Sequence, residues 1–412
     1  MRIHSRPSSR LAAIAAAFLA AASLATPSRD ASAASLAEVV RSALETYPAI
    51  MVAQSNRSVA QYDIDRARAL HYPSVDLLGT RRLAGDARNL AQPRLRLNVW
   101  ASGGIDATIE RESMRESALA SRELETREDV AFEAAQAYLR LLRGTRTLEA
   151  TQRNLERHEA LTRDFEAIVS IDVGRRYDLV QARSRREQVR LQISEREAEI
   201  ALAREALARY YPKPVALATL QMPPDLSAPT QQALQASIDG HPSIEAARRA
   251  VLVAEADTRV ARAGRMPRVD VESTVGTESA TLLVLSWPLF DLGLGAAEQA
   301  AQAAVVGARA QLEEQERLIS ERQGSALQDF LAAQRREAVS EGQIGMAEEL
   351  VSVYRDQFRI GRRPLLDLLN AFNELSLAEL TYESSRVDRA LARYRMEYAA
   401  GRLVALFDRS PR

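Results

Sequence analysis

The sequence predicts a mainly α-helical chain with a pair of β-hairpins, internally duplicated so that each hairpin leads into a long helical hairpin. Three observations predict this. Ala, Leu, Arg and Glu dominate the composition while aromatic residues make up only 5% of the 412 residues, the profile of long packed helices rather than of an ordinary globule. Apolar residues recur at helical spacing through two proline-free stretches, about 105–169 and 293–358. Landmarks also repeat in the same order: Pro48 to Pro242 and Pro73 to Pro267 are both 194 residues apart, Gly104 to Gly293 is 189, and Gly174 to Gly361 is 187. Hairpin loops of unequal length account for the drift, and a repeat of this size marks a duplicated unit.

The elements follow in order. Arg2, His4, Arg6 and Arg10 precede an apolar run from Leu11 to Leu24, and Ala31-Ser32-Ala33 fits a small-residue cleavage site, so residues 1–33 read as a secretory signal peptide. The first repeat is expected over 34–211. Leu36, Val39, Val40 and Leu44 give an amphipathic helix from Ser35 to Thr46. Tyr47-Pro48 opens a second helix, and Tyr72-Pro73 stops it, because a residue before proline leaves the α region. Between about 73 and 100 the period changes to two: Ser74 to Gly79 and Arg94 to Val99 alternate polar and apolar residues, joined by the polar loop Gly85 to Asn89. From Ile105 to Val169 the helical pattern returns, and about 65 residues at about 1.5 Å each make a rod on the order of 100 Å long. A tip at about 171–176 turns the chain, and a second rod runs from Tyr177 to Tyr210. Pro212, Pro214, Pro223, Pro224 and Pro229 make 212–229 an irregular linker.

The second repeat, 230–408, restates the plan. A short helix is expected from Gln231 to Asp239, and His241-Pro242 opens another that ends at Met266-Pro267. A hairpin at about 267–289 pairs the alternating Arg268 to Val275 with Leu282 to Trp287. A rod then runs from Gly293 to Phe358, a tip at about 359–364 turns it, and a return rod is expected to continue unbroken from Leu365 to Phe407. At this tip Gly361 suits a left-handed helix stop and Pro364 the first turn of the next helix. Val173-Gly174-Arg175-Arg176 reads as a tip of the same chemistry.

Composition excludes several classes. The 55 basic and 55 acidic residues balance, which gives no field calling for nucleic acid. There is no cysteine, so disulfides and thiol catalysis are absent. His71, His158 and His241 are isolated in sequence, and no zinc spacing, Gly-rich phosphate loop or nucleophile–base pair occurs; no catalytic residue, metal ligand or cofactor is expected.

Each chain offers four strands of the length that a tilted strand needs to cross a bilayer. An open four-stranded sheet cannot sit in lipid, since its edges expose unpaired backbone groups. Three chains would supply twelve strands, enough to close a barrel around water. The inward set would then be Arg94, Arg96, Asn98, Arg268, Asp270, Glu272 and Thr274. The rods meet the same difficulty, and stacked around a three-fold axis they would continue the barrel as a hollow α-helical cylinder. Charge runs such as Arg183 to Arg190 read as solvated helix faces. A soluble coiled-coil protein of the periplasm is the competing class, and the alternating hairpins argue against it.

The stretch YRDQFRIGRRPLLDLLNAFNEL from Tyr354, the His241-Pro242-Ser243-Ile244 helix start and the Trp287-Pro288-Leu289-Phe290-Asp291-Leu292-Gly293 junction resemble the TolC family of outer-membrane efflux and secretion channels. The likeness spans about residues 35–408, and the tip sequence is most similar to members serving type I secretion. It implies a homotrimer with a twelve-stranded barrel in outer-membrane lipid and a periplasmic helical tunnel. It also implies a periplasmic adaptor and an energised inner-membrane pump, an ABC transporter in type I secretion or an RND-type pump in multidrug efflux. Asp178, Phe358, Arg363, Asp367 and Asn370 stand where the family places the periplasmic gate, with Arg363 or Arg176 able to offset the acidic charge. Gly174, Arg175, Arg176, Gly361 and Arg362 stand at the tips that dock the adaptor.

Overall fold

The computed structural model describes residues 35–80, 90–225, 227–276 and 279–408. The expected signal segment and the Gly85 to Asn89 loop lie outside the described residues. The first half comprises α1 (Leu36–Thr46), α2 (Pro48–Ala69), β1 (Ser74–Thr80), β2 (Leu90–Trp100), α3 (Gly104–Ile171) and α4 (Arg176–Ala208). The second comprises α5 (Gln231–Gln235), α6 (Pro242–Ala263), β3 (Arg268–Thr274), β4 (Ala280–Ser286), α7 (Leu292–Arg359), α8 (Leu365–Ala399) and α9 (Leu403–Asp408).

Local chemistry sets the helix starts. Ser35 Oγ accepts from the Glu38 N–H, Asp291 Oδ1 accepts from the Gly293 N–H, and Pro48 and Pro242 occupy first-turn positions whose N–H would be unpaired anyway. The two rods α3 and α7 are each 68 residues, about 100 Å at about 1.5 Å per residue. Their partners are shorter. The 33-residue α4 returns about half the length of α3, and α2 covers the other half. In the same way α6 and α8 together cover α7.

Two expectations are corrected. The return rod is not continuous to Phe407: α8 stops at Ala399, where Gly401 takes φ 64° and the chain turns into α9. Arg402 N–H bonds to Glu397 O and Gly401 N–H to Tyr398 O, a Schellman stop that an Ala-rich helical pattern conceals. The helix expected from Gln231 to Asp239 spans only Gln231–Gln235; single turns carry the chain from there to His241.

The four strands form one antiparallel sheet in the order β1-β2-β3-β4. The two hairpins are therefore joined through β2 and β3, with Arg96 opposite Glu272 and Asn98 opposite Asp270. Pro93 sits in β2, a strand paired on both sides. Its carbonyl takes the last bond toward the β3 side, from Val275 N–H, so its missing donor falls where that ladder ends.

Among the described residues the core falls in three clusters, one of them formed by α5, α7 and α8 around Leu234, Phe330 and Met396. At the equator of the rods, α1, the middle of α3, the end of α4, α8 and α9 bury Val39, Tyr138, Leu141, Leu207, Tyr394 and Leu403. At the tips, α3, α4, α7 and α8 bury Phe165, Leu179, Val351, Leu368 and Phe372. Near the sheet the picture differs: α7 buries no residue before Ile319, and α2 buries only Ile50, Ala60 and Ala67. The chain exposes 26122 Å², far above the roughly 16,000 Å² of a compact monomer of its mass.

Candidate functional site

The sheet end has one polar and one apolar face. Register partners share a face, so Asp76, Arg94, Arg96, Asn98, Arg268, Asp270, Glu272 and Thr274 lie together. The opposite face carries Val75, Leu77, Leu95, Leu97, Val269, Val271, Leu283 and Leu285. Val75, Leu77, Leu283 and Leu285 are exposed there, which no water-soluble sheet tolerates over a continuous patch. Edge strands β1 and β4 have no partner on their outer sides among the described residues.

At the end of the sheet nearest the rods, Tyr72, Trp100, Trp287 and Phe290 are exposed. The register shift between Asn98 and Trp100 sets Trp100 opposite Val269, hence on the apolar face. Trp and Tyr gather where hydrocarbon meets water. Each stands within a few residues of a strand end, a signal the strand periodicity alone does not carry.

The tips lie a rod's length away, and they are not chemically alike. In the first, α3 ends at Ile171, Asp172 Oδ1 accepts from the Gly174 N–H at 2.9 Å, and Val173–Arg175 form a 3₁₀ turn. Gly174 needs no left-handed backbone there; a Cβ would sit 3.1 Å from the Asp172 carboxylate. In the second, Gly361 takes φ 74°, with Arg362 N–H on Gln357 O and Gly361 N–H on Phe358 O.

Each tip pairs an arginine with the aspartate of the returning helix. Arg363 Nη1 lies 3.0 Å from Asp367, its Nε donates to Gln357 at 2.6 Å, and its guanidinium stacks 3.8 Å from the centre of the Tyr354 ring. At the first tip Arg175 meets Asp178, at 3.0 Å. Arg175 also lies 5.6 Å from the centres of both Phe165 and Phe358, whose rings are 5.6 Å apart. Arg175 thus bridges the two hairpins with its side chain still partly exposed. Phe358 is half-buried in that contact. Gly174, Arg176, Gly361, Arg362 and Asn370 are exposed. Beside them stand apolar side chains that sequence reasoning passed over: Ile171, Val173, Tyr177 and Ile360 are all exposed at the extreme end.

A third cluster, also unforeseen, joins the repeats at the equator. Glu128 on α3 is buried and accepts from the Leu403 and Val404 N–H groups at 2.9 and 3.1 Å, fixing the start of α9. Burial pushes its carboxyl up to about 7, against the pull of those two donors. Asp129 accepts from Tyr398, Glu125 accepts from Ser243, and His241 Nδ1 caps α6 by accepting from the Ser243 N–H. Burial, aided by Arg322, lowers His241 to about 4. Spacing of Glu125, Glu128 and Asp129 on one helix face was visible; what they cap lies more than 100 residues away.

Among the described residues no His, Cys, Asp and Glu group is placed to hold a metal ion, and no helix is long and apolar enough to cross a membrane. Residues 233–402 match the model of a family described as outer membrane efflux protein. No curated protein matches the chain. Solved structures are similar to it in fold. A membrane protein from Pseudomonas aeruginosa has TM-score 0.78 at 19% identity, covering 89% of this chain and 92% of that one. The outer membrane protein VceC of Vibrio cholerae has TM-score 0.75 at 18% identity, covering 89% and 96%. The open state of the MtrE outer membrane channel of Neisseria gonorrhoeae has TM-score 0.77 at 19% identity, covering 89% and 88%.

Proposed function

We propose that the chain, whose residues 233–402 match the outer membrane efflux protein model and whose fold is similar to that of solved outer-membrane channels, is the trimeric exit duct of an envelope export system. It is a channel and not an enzyme. The observation that carries this is the sheet: one face polar, the other apolar, both edges without a partner among the described residues, set at the end of rods about 100 Å long. In lipid such a sheet must close with copies of itself, and three copies give a twelve-stranded barrel with the charged face around water. The rods then extend through the periplasm to a gate at the tips. Asp178 and Asp367, each beside its own arginine, with Phe358 and Asn370, form the aperture. Gly174, Arg176, Gly361 and Arg362, together with the exposed Ile171, Val173 and Ile360, form the docking crown for a periplasmic adaptor and its inner-membrane pump.

The sequence QFRIGRRPLLDLL at the second tip supports type I secretion, with an ABC transporter as pump. The efflux description of the matched family supports multidrug export as the second reading. Deleting the gene and measuring secreted protein beside drug susceptibility separates them: loss of a secreted polypeptide with unchanged susceptibility supports the first, and the reverse supports the second. Mass measurement and single-channel recording of the detergent-extracted protein test the duct itself. A water-soluble monomer without conductance would refute it.

A further inference from the structure

The polar face of the sheet carries its charges as closed pairs. Arg94 grips Asp76 through two hydrogen bonds of 2.9 and 2.6 Å. Across the seam between the repeats, Arg96 Nε lies 2.8 Å from Glu272 Oε1. One step along, Asn98 donates to Asp270 Oδ1 at 2.9 Å, and the other oxygen of Asp270 lies 3.6 Å from Arg268. Among the described strand residues of this face, each arginine therefore has a carboxylate and each carboxylate an arginine. β4 completes the face with Ala280, Leu282, Val284 and Ser286, opposite Thr274, Glu272, Asp270 and Arg268. That strand adds no charge, and Leu282 is exposed on it.

We infer that the strand-lined exit is a charge-compensated passage that does not sort its cargo by the sign of charge. The inference rests on the channel reading above and adds to it a class of cargo. Around a trimer, three stripes of paired charges alternate with three stripes of uncharged, largely apolar β4 side chains. A ring of like charges would hold or exclude one sign of ion. Paired charges a few ångströms apart cancel beyond that distance, and salt screens the remainder within about 10 Å. Such a wall accepts a chain bearing acidic, basic and apolar groups in turn, as an extended polypeptide does, without trapping any of them. Discrimination by charge then belongs to the tips. The pairs also span β1 to β2 and β2 to β3, so they hold the register that keeps the apolar face outward.

Full-length protein in planar bilayers under a KCl gradient tests this, with K⁺ and Cl⁻ as probes. Glu272→Gln leaves Arg96 uncompensated three times around the lumen and should shift the reversal potential toward Cl⁻. Arg96→Gln should shift it toward K⁺. For three charges on the order of 10 Å from the axis, in screened water, each change in the permeability ratio is about fivefold. The double variant should return to the wild-type value. Asp76→Asn and Arg94→Gln must give the same two signs, which guards against one pair failing to fold. Conductance with reversal potentials unmoved, or moved in the same direction by both members of a pair, overturns the inference and leaves the duct intact. A wild-type protein that forms no conductance overturns the duct and the inference with it.

Discussion

Replacing Gly401 by alanine tests the joint on which the equator of the molecule turns. Gly401 takes φ 64°, which an alanine adopts at a cost of about 1 kcal/mol. A Cβ there would also stand 2.5 Å from Pro242 Cδ and 3.2 Å from His241 Cδ2. Neither neighbour can withdraw freely, because Pro242 begins α6 and His241 caps it. Overpacking of this kind adds about 1–3 kcal/mol. Gly361 supplies the control: it takes φ 74°, yet a Cβ there meets nothing within 4 Å. Gly361→Ala should therefore cost about 1 kcal/mol, and Gly401→Ala about 2–4 kcal/mol. For a chain of this size, with an unfolding entropy of about 2.1 cal/mol/K per residue, each kcal/mol lowers the melting temperature by about 1 °C. Far-UV circular dichroism of the two variants in detergent, heated at one scan rate, should show drops of about 1 °C and about 2–4 °C. Equal drops would refute the close approach of the α8 terminus to the start of α6.

The buried Glu128, raised to about 7 against an ordinary 4.5, binds its proton more tightly folded than unfolded, so its contribution is complete below pH 4.5 and is lost as pH rises through about 7. Glu128→Gln should flatten that fall, worth on the order of 3 kcal/mol; a wild-type stability curve equally flat over that window would contradict it. His158, lowered to about 4 chiefly by burial and then by Arg185 and Arg157, acts in the opposite sense, contributing above pH 6.5 and losing that contribution as pH falls through about 4. His158→Phe should therefore reduce acid sensitivity in melting scans. Glu379 is buried against Arg157 and, at 3.9 Å, Arg153, so Arg157→Ala should destabilise by about 3 kcal/mol, while Arg157→Leu with Glu379→Leu should recover most of it in the same assay. At the proposed gate, Arg363→Ser should raise conductance by loosening closure and Asp367→Ala should weaken block by divalent cations in single-channel recordings; unchanged traces for both would remove the pair from the aperture.

How much was legible depended on the range of the interaction. The rods, the strand alternation and the helix starts at Pro48 and Pro242 rest on periodicity and caps within a few residues. So does the stop at Gly361, with Pro364 close behind as a second marker. Gly401 has no such marker. The break there answers to Glu128, whose carboxylate holds the backbone of Leu403 and Val404 from another helix. The tips failed in a different way. Gly174 and Gly361 stand in similar strings of residues, but Asp172 captures the Gly174 N–H and replaces the left-handed stop with a 3₁₀ turn. Arg175, at the end of that turn, reaches Asp178 of the returning helix. Which face of the sheet is polar could be read strand by strand. The pairing of Arg96 with Glu272 required knowing that β2 and β3 are neighbours, and no local pattern states that.

The distribution of buried residues implies an order of assembly. One copy alone packs the equator, where Tyr138, Leu141 and Leu403 are fully enclosed, and packs the tips, where Phe165 and Leu368 are. The same copy leaves the first 27 residues of α7 without a buried side chain and leaves the apolar face of the sheet open. Hydrophobic burial is the main favourable term in folding, so the equator and the tips can form before any partner arrives, and the sheet end cannot. Cross-repeat pairs strengthen the contrast. Arg157 with Glu379 and Arg143 with Asp388 tie α3 to α8 along the rods, and the first of these is drier than the strand-face pairs. On the proposed trimeric duct, a protomer would thus carry a formed equator and tips, and hold its strands unfinished until two more copies and a bilayer supply edges and solvent. This separates the parts that must be stable in water from those that must not close too soon, because a sheet sealed by the wrong neighbour would aggregate.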